Sequence, residues 1–528
     1  MSADAVSRSD PSDEKTTHHP EKPRNAADLS STRNAEEEEG ATGLEEVSEA
    51  PYTIFSAREK ASIIVLVSFL AIISPLSGSI YLPALTSIAD SLQISISLVN
   101  LTVTTYLIFQ GIAPSFIGNF SDSYGRRPAY VICCVIYLAA NIGLALQNSY
   151  AALLVLRCVQ SCGSSATIAL GSATAADMVT RAERGKYLGY AAMGVTLGPT
   201  LGPVIGGLLD HYLGWRSIFW FLTILSGVLF LLVFAILPET CRSVVGNGSV
   251  PPPWWNMSLV GFQKQRQSKG QDNTMPNSAT EKPKRKRPNP FASLIMFGDK
   301  TTGTLLGFGA IMYGGFYIVL TTLSTELSAR FGYSSVIVGL CFLPLGLGTI
   351  CYRYTGGYLM DWNFRRHMKK AGLEWDKQHQ QDLKSLPIER IRLEVTLPLT
   401  YVACAMLIVY GWVMDKQLSL AGIEVSLFFL AVSFSGALNN LNTLIVDLHA
   451  ESPATAVAAN NLARCLTGAG AAAIGTPMID RLSIGWTSVF VSGVWAVGTL
   501  LLWLVLARGQ RWRNAKAVDN TDGNNNRA

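Results

Sequence analysis

Charged side chains are scarce in this sequence. Only 15% of its 528 residues are Asp, Glu, Lys or Arg, against about 25% in an ordinary soluble domain, and that deficit points to lipid. Acid is scarcer still where the chain is apolar, since no Asp, Glu or His falls deep inside a long hydrophobic run. A mid-membrane carboxylate is the usual proton carrier, so composition alone establishes no proton path. Nine cysteines occur without any metal-ligand spacing; eight lie inside apolar runs and Cys241 just after one, which reads as packing thiols. No nucleophile elbow or phosphate loop is present, so an enzyme is the least favoured class and no cofactor or metal is expected. The net charge of +5 is too small to imply nucleic acid, and the basic residues sit in loops. Residues 1–55 lack the short apolar core of a secretory signal; with the run Glu36 to Glu39 they are expected to form a disordered cytoplasmic tail.

Hydrophobic residues fill the rest, 49% of the chain with a mean hydropathy of +0.28. Runs of roughly 20 apolar residues are long enough to cross a hydrocarbon core of about 30 Å. Six fall near 61–82, 95–117, 128–146, 150–176, 187–209 and 216–237. Six more fall near 302–323, 334–352, 395–414, 422–446, 456–479 and 486–507. The expected fold is an all-α membrane protein of about twelve helices in two six-helix bundles, 56–238 and 300–508. A polar central loop (239–299) joins them, 353–394 is a second long loop, and 509–528 is a tail. Arg126, Arg127, Arg181, Arg184, Lys186, the central run Lys282 to Arg287, and Arg508, Arg511 and Arg513 all fall on one side. The positive-inside rule therefore places both termini in the cytoplasm, with the basic run beside anionic lipid.

The two halves echo each other. Gly118-x-x-x-Asp122, followed by Arg126 and Arg127, returns as Gly357-x-x-x-Asp361, followed by Arg365 and Arg366. Gly214-Trp215 and Phe219 return as Gly485-Trp486 and Phe490. Asp177 and Asp447 occupy matching places at the inner ends of the fourth and tenth spans. The charged elbows are candidates for a latch between the inner ends of the halves, with Asp122 near a helix end and its two arginines in the cytosol. The bland alternative is a turn that only sets topology.

Polar residues inside the spans are few and patterned. Arg157, Gln160, Ser161 and Ser164 share one face of the fourth span, and Asn460, Arg464 and Thr467 mirror them in the eleventh. An arginine at depth costs about 2.5–3.5 kcal/mol even on lenient scales, so it must face a partner or a wet space. Tyr81, Tyr106, Gln110, Tyr313, Tyr317, Asn439 and Asn442 are on further polar faces that would converge on a central space with aromatic walls. In the fifth span Gly194, Gly198, Gly202 and Gly206 recur every four residues, with Pro199, Pro203 and Gly207 between them. Such a stripe is either tight helix packing or a seam on which the halves rock.

Over residues 55–510 the chain resembles the major facilitator superfamily, specifically its twelve-span drug:proton antiporter family. The fungal quinidine-resistance branch, with its exporters of citrate and other acids, is the nearest likeness. The resemblance rests on Gly118-x-x-x-Asp122-x-x-Gly125-Arg126-Arg127, on Arg157-x-x-Gln160-x-x-Gly163, and on the Gly-Pro pattern of the fifth span. Asp361-Trp-Asn-Phe-Arg-Arg and Pro387-Ile-Glu389-Arg390 resemble that branch in particular. The resemblance implies a monomeric plasma-membrane exporter of amphipathic drugs, toxins or metabolites, exchanging them for protons. It also implies that Arg157 and the elbows take part in proton transfer and gating. Export of small organic acids is the alternative, for which Arg157 and Arg464 would serve as anion partners. A nutrient sensor signalling through its long loops is a third reading.

Overall fold

In the computed structural model, the described residues are 53–525, apart from 179–180, 248–249, 251, 254–255, 260–261, 263–291, 371–386 and 450–452. The amino-terminal tail and the Lys282 to Arg287 run lie outside them, as do residues 371–386 of the loop expected between the eighth and ninth spans, whose flanks belong instead to helices. The first half contains α1 (Ala57–Ser79), α2 (Ile96–Tyr124), α3 (Arg126–Leu146), α4 (Tyr150–Met178), α5 (Arg181–Leu213) and α6 (Arg216–Ile236). The second contains α7 (Lys300–Phe331), α8 (Leu343–Lys370), α9 (Ile388–Asp415), α10 (Leu420–Leu448) and α11 (Pro453–Asn525). Among the described residues ten helical stretches are long and apolar enough to cross a membrane; α5 and the second arm of α11 bring the number to twelve.

Local chemistry sets the ends. Ser56 and Glu59 form a capping box that starts α1, and Gly332, at φ 67°, closes α7 in the left-handed region where glycine alone is unstrained. Gly125, at φ 117°, separates α2 from α3 with no intervening loop. The boundary expected at 480–485 contracts to a break at Ser483 (φ 67°, ψ 162°). The chain reverses there: Thr467 lies by Ala310 and Gly475 by Ile318 and Thr322, while Trp495 returns by Gly315 and Gly498 by Phe308.

Glycines and small residues set the packing inside each half. Gly163 of α4 sits against the Tyr137 backbone of α3, and a Cβ there would come 2.6 Å from the Tyr137 nitrogen. In the second half Gly348 of α8 meets the Phe428 carbonyl of α10, and Gly411 of α9 meets Ser488 of α11. Between the halves, Asn100 of α2 donates to Thr476 of α11 (2.8 Å) and Thr104 donates to the Ala469 carbonyl (3.1 Å). Ser324 of α7 donates to the Pro83 carbonyl (3.4 Å). Among the described residues these cross-half hydrogen bonds begin at the pole away from the basic loops and stop at Gln110, whose carbonyl accepts from Asn461.

Candidate functional site

In the first elbow the two arginines are buried while Asp122 is exposed. Arg126 donates through Nε to Asp177 (2.9 Å) and through Nη1 to Ser121 and Asp122. Arg127 donates to the Phe234 carbonyl (3.1 Å) and lies over the Phe234 ring. Both arginines are at most 9% exposed, so they are packed within the protein and not held out in solvent. The reason is Glu239, just past α6. It accepts from the backbone N–H groups of Arg126 (2.8 Å), Arg127 (3.2 Å), Thr240 (3.0 Å) and Cys241 (2.8 Å), and from Asn256 Nδ2 (2.7 Å). A Cβ on Gly125 would come 2.3 Å from Glu239 Oε2, so only glycine lets the two meet. All these partners belong to the first half or to the segment directly after it, so none of these bonds bridges the halves in this conformation.

The second elbow differs from its sequence echo. Asp361, Arg365 and Arg366 are exposed on α8, and Arg366 leans on the Trp362 ring. Phe364 stands where the first half has Gly125, so the helix runs on to Lys370 and carries the arginines past the turn. The acid–base pair is rebuilt from α9: Arg392 donates to Asp447 (3.0 Å), as Arg126 does to Asp177. Glu389, 2% exposed, lies 3.5 Å from Arg513.

Two turns into α4 Arg157 is completely buried between the rings of Tyr81 (4.3 Å) and Tyr106 (4.4 Å). Its Nη1 donates to Gln160 (2.6 Å), and Gln160 Nε2 donates to Asn141 (2.7 Å). Tyr81 bonds Thr102, and Tyr106 bonds Ser164 and the Ser74 carbonyl. Gln110 Nε2 donates to Ser74 Oγ. Arg157 Nε and Nη2 are buried without a hydrogen-bond partner. Across the midline Arg464 stacks on Tyr313 (4.3 Å), whose ring is 5.3 Å from that of Tyr317. Tyr317 is an electrostatic neighbour of both Tyr106 and Arg157. Asn460 donates to Asn442 (3.0 Å), whereas Asn439 is exposed and its neighbour Asn440 takes the buried place, accepting from Tyr352. Neither arginine pairs with a carboxylate among the described residues, so the two rest largely on aromatic faces.

The α5 stripe divides into two faces. Cβ atoms on Gly198, Gly202 and Gly206 would strike Leu76, Ser79 and Ile80 of α1 and the turn after it, in the same half. Gly207 and Pro203 meet Ser335 and Gly339 of the short helix Ser335–Leu340, and Thr200 meets Gly346 of α8. Pro199 is exposed, and the surroundings of Gly194 lie outside the described residues. The four-spaced glycines thus pack within their own half, and the contact between the halves lies on another side of the helix, at Thr200, Pro203 and Gly207.

A family model described as Major Facilitator Superfamily matches residues 67–472. The MFS-type transporter R5 of Phoma sp. is 44% identical over 89% of both chains. The MFS-type transporter clz19 of Cochliobolus lunatus is 44% identical over 88% of this chain and 87% of its own. Citrate exporter 1 of Aspergillus niger is 36% identical over 88% and 89%. The chain belongs to the Major Facilitator Superfamily. A solved D-xylose–proton symporter shares the fold, with a TM-score of 0.59 over 85% of this chain and 97% of its own at 16% identity. Like its family the chain is an integral membrane transporter and not an enzyme.

Several residues that build this facilitator's polar core were not singled out by their sequence. Asn141 and Tyr137 of α3 complete the Arg157 network, and Tyr137 meets Ser77. Glu239 had a readable signal, the one acid directly after α6 in Pro238-Glu239-Thr240-Cys241-Arg242. Asp210, Gly339 and Gly346 had none, because their roles depend on the other half.

Proposed function

We propose that the protein is a secondary active exporter of the plasma membrane, working by alternating access of its two bundles. Its cargo is a set of amphipathic toxic compounds or secondary metabolites, moved out against incoming protons. One observation carries the reading: an arginine on aromatic faces in each half, Arg157 with Tyr81 and Tyr106, and Arg464 with Tyr313. Aromatic walls with a few fixed polar groups suit an amphipathic solute. The cross-half bonds lie at the pole away from the basic loops, so with those loops in the cytoplasm the conformation is closed outside. The elbow is then in its released state, and closing the inner ends would engage it.

Export of small organic acids is a second reading. It is favoured by the two arginines without carboxylate partners and by the relationship to a citrate exporter. Growth of deletion and overexpressing strains on a panel of drugs and acids, with intracellular accumulation measured at two external pH values, separates the two. Loss of accumulation for amphipathic compounds, steeper at low external pH, supports the first reading. Loss confined to acids supports the second. No change for any solute overturns both.

A further inference from the structure

Asp210 lies near the end of α5, at the pole opposite the elbows, yet it is only 6% exposed. Its Oδ2 accepts two hydroxyl hydrogen bonds, from Ser87 at 2.7 Å and Ser335 at 2.5 Å. Ser87 belongs to the short helix after α1, in the same half; Ser335 opens the short helix that leads into α8, in the other. Oδ1 is buried without a partner, and among the described residues no cation pairs with the carboxylate. One turn back along α5, Gly207 packs against the backbone of Ser335 and Gly339.

The contrast with Glu239 is informative. That carboxylate is held by backbone and amide donors of its own half, a set suited to permanent structure. Asp210 shares one oxygen between a hydroxyl from each half. Parting the halves removes one donor and lets water take its place, so the bond contributes only its modest net worth to closure. Such a bond adds to closure and can still be broken and remade at each cycle.

We propose that Asp210 is the clasp of this pole, a positioning residue that favours the closed outer gate by holding Ser335 of the opposite half. The inference rests on the alternating-access reading but not on the identity of the cargo. Its test uses the full-length chain carrying Ser324→Cys as reporter, since Ser324 is fully buried at a second cross-half contact of the same pole, with the Pro83 carbonyl. A membrane-impermeant maleimide is applied to intact cells, with the chain lacking the reporter as background. Asp210→Ala and Ser335→Ala should each raise labelling about tenfold, and together no further, because they remove the same bond. Asp210→Asn keeps an acceptor oxygen and should stay near the parent. Ser87→Ala, which cuts only the bond within the half, should change labelling far less than Ser335→Ala.

Unchanged labelling in Ser335→Ala at normal surface abundance overturns the clasp, and this small substitution keeps the test decisive if Asp210→Ala misfolds. Equal effects of Ser87→Ala and Ser335→Ala overturn it as well, leaving a carboxylate that only braces its own half. Labelling needs no cargo. The tenfold rise in a protein that moves no solute would therefore support the clasp while removing the exporter reading.

Discussion

Five donors converge on Glu239, two of them the backbone N–H groups of Arg126 and Arg127. Glu239→Gln turns one acceptor oxygen into an amide that faces buried donors, at about 1–3 kcal/mol for each donor left unpaired. The expected outcome is a lower thermal midpoint and reduced abundance, measured on the purified protein, with Gly125→Ala failing in the same way. Cys241 sits beside this cluster, and burial pushes its thiol up from the ordinary value. It should therefore react with maleimide at neutral pH far more slowly than an exposed thiol. Arg157→Lys is a different case. An ammonium cannot stack flat between the Tyr81 and Tyr106 rings, so transport should fall at least tenfold while abundance stays near normal. Unchanged efflux in that variant would remove Arg157 from the pathway. The Arg157–Gln160 face was legible in the sequence because polar residues are rare in an apolar helix. Asn141, on a neighbouring helix, was not, since one amide has no pattern.

At the scale of the helix, α5 shows how far a spacing carries. The four-residue glycine period predicted a close approach and did not name the partner. A side chain at Gly202 would come 2.1 Å from Ser79 Oγ in the same half, whereas one at Gly207 would come 2.3 Å from the Ser335 carbonyl in the other. Gly202→Val should lower abundance, because the first half no longer packs. Gly207→Val should leave abundance largely intact but wedge the outer pole apart, seen as increased labelling of a Ser324→Cys reporter from outside. The second elbow teaches the converse. Its spacing copies the first, yet one missing glycine lets α8 continue, and the acid–base pair is rebuilt from Arg392 and Asp447. A motif read as a string of residues does not carry the backbone break that made it a turn.

For the whole molecule, the cross-half bonds place the closed pole at Asn100 and Thr476. Oxidising an Asn100→Cys, Thr476→Cys pair should fix that pole shut and stop transport, and a reductant should restore it; transport that continues through the disulfide would argue against alternating access. The sequence by itself determined that this is a many-helix membrane protein of two related halves, because hydropathy and repetition are properties of the chain. It also marked the arginines at depth, since lipid makes them conspicuous. Only the tertiary structure decided that the arginines of the first elbow are buried, which face of α5 meets which half, and that Asp210 joins the halves. Those facts depend on the rotation and register of helices far apart in the chain, and side-chain contacts between them leave no periodicity to read.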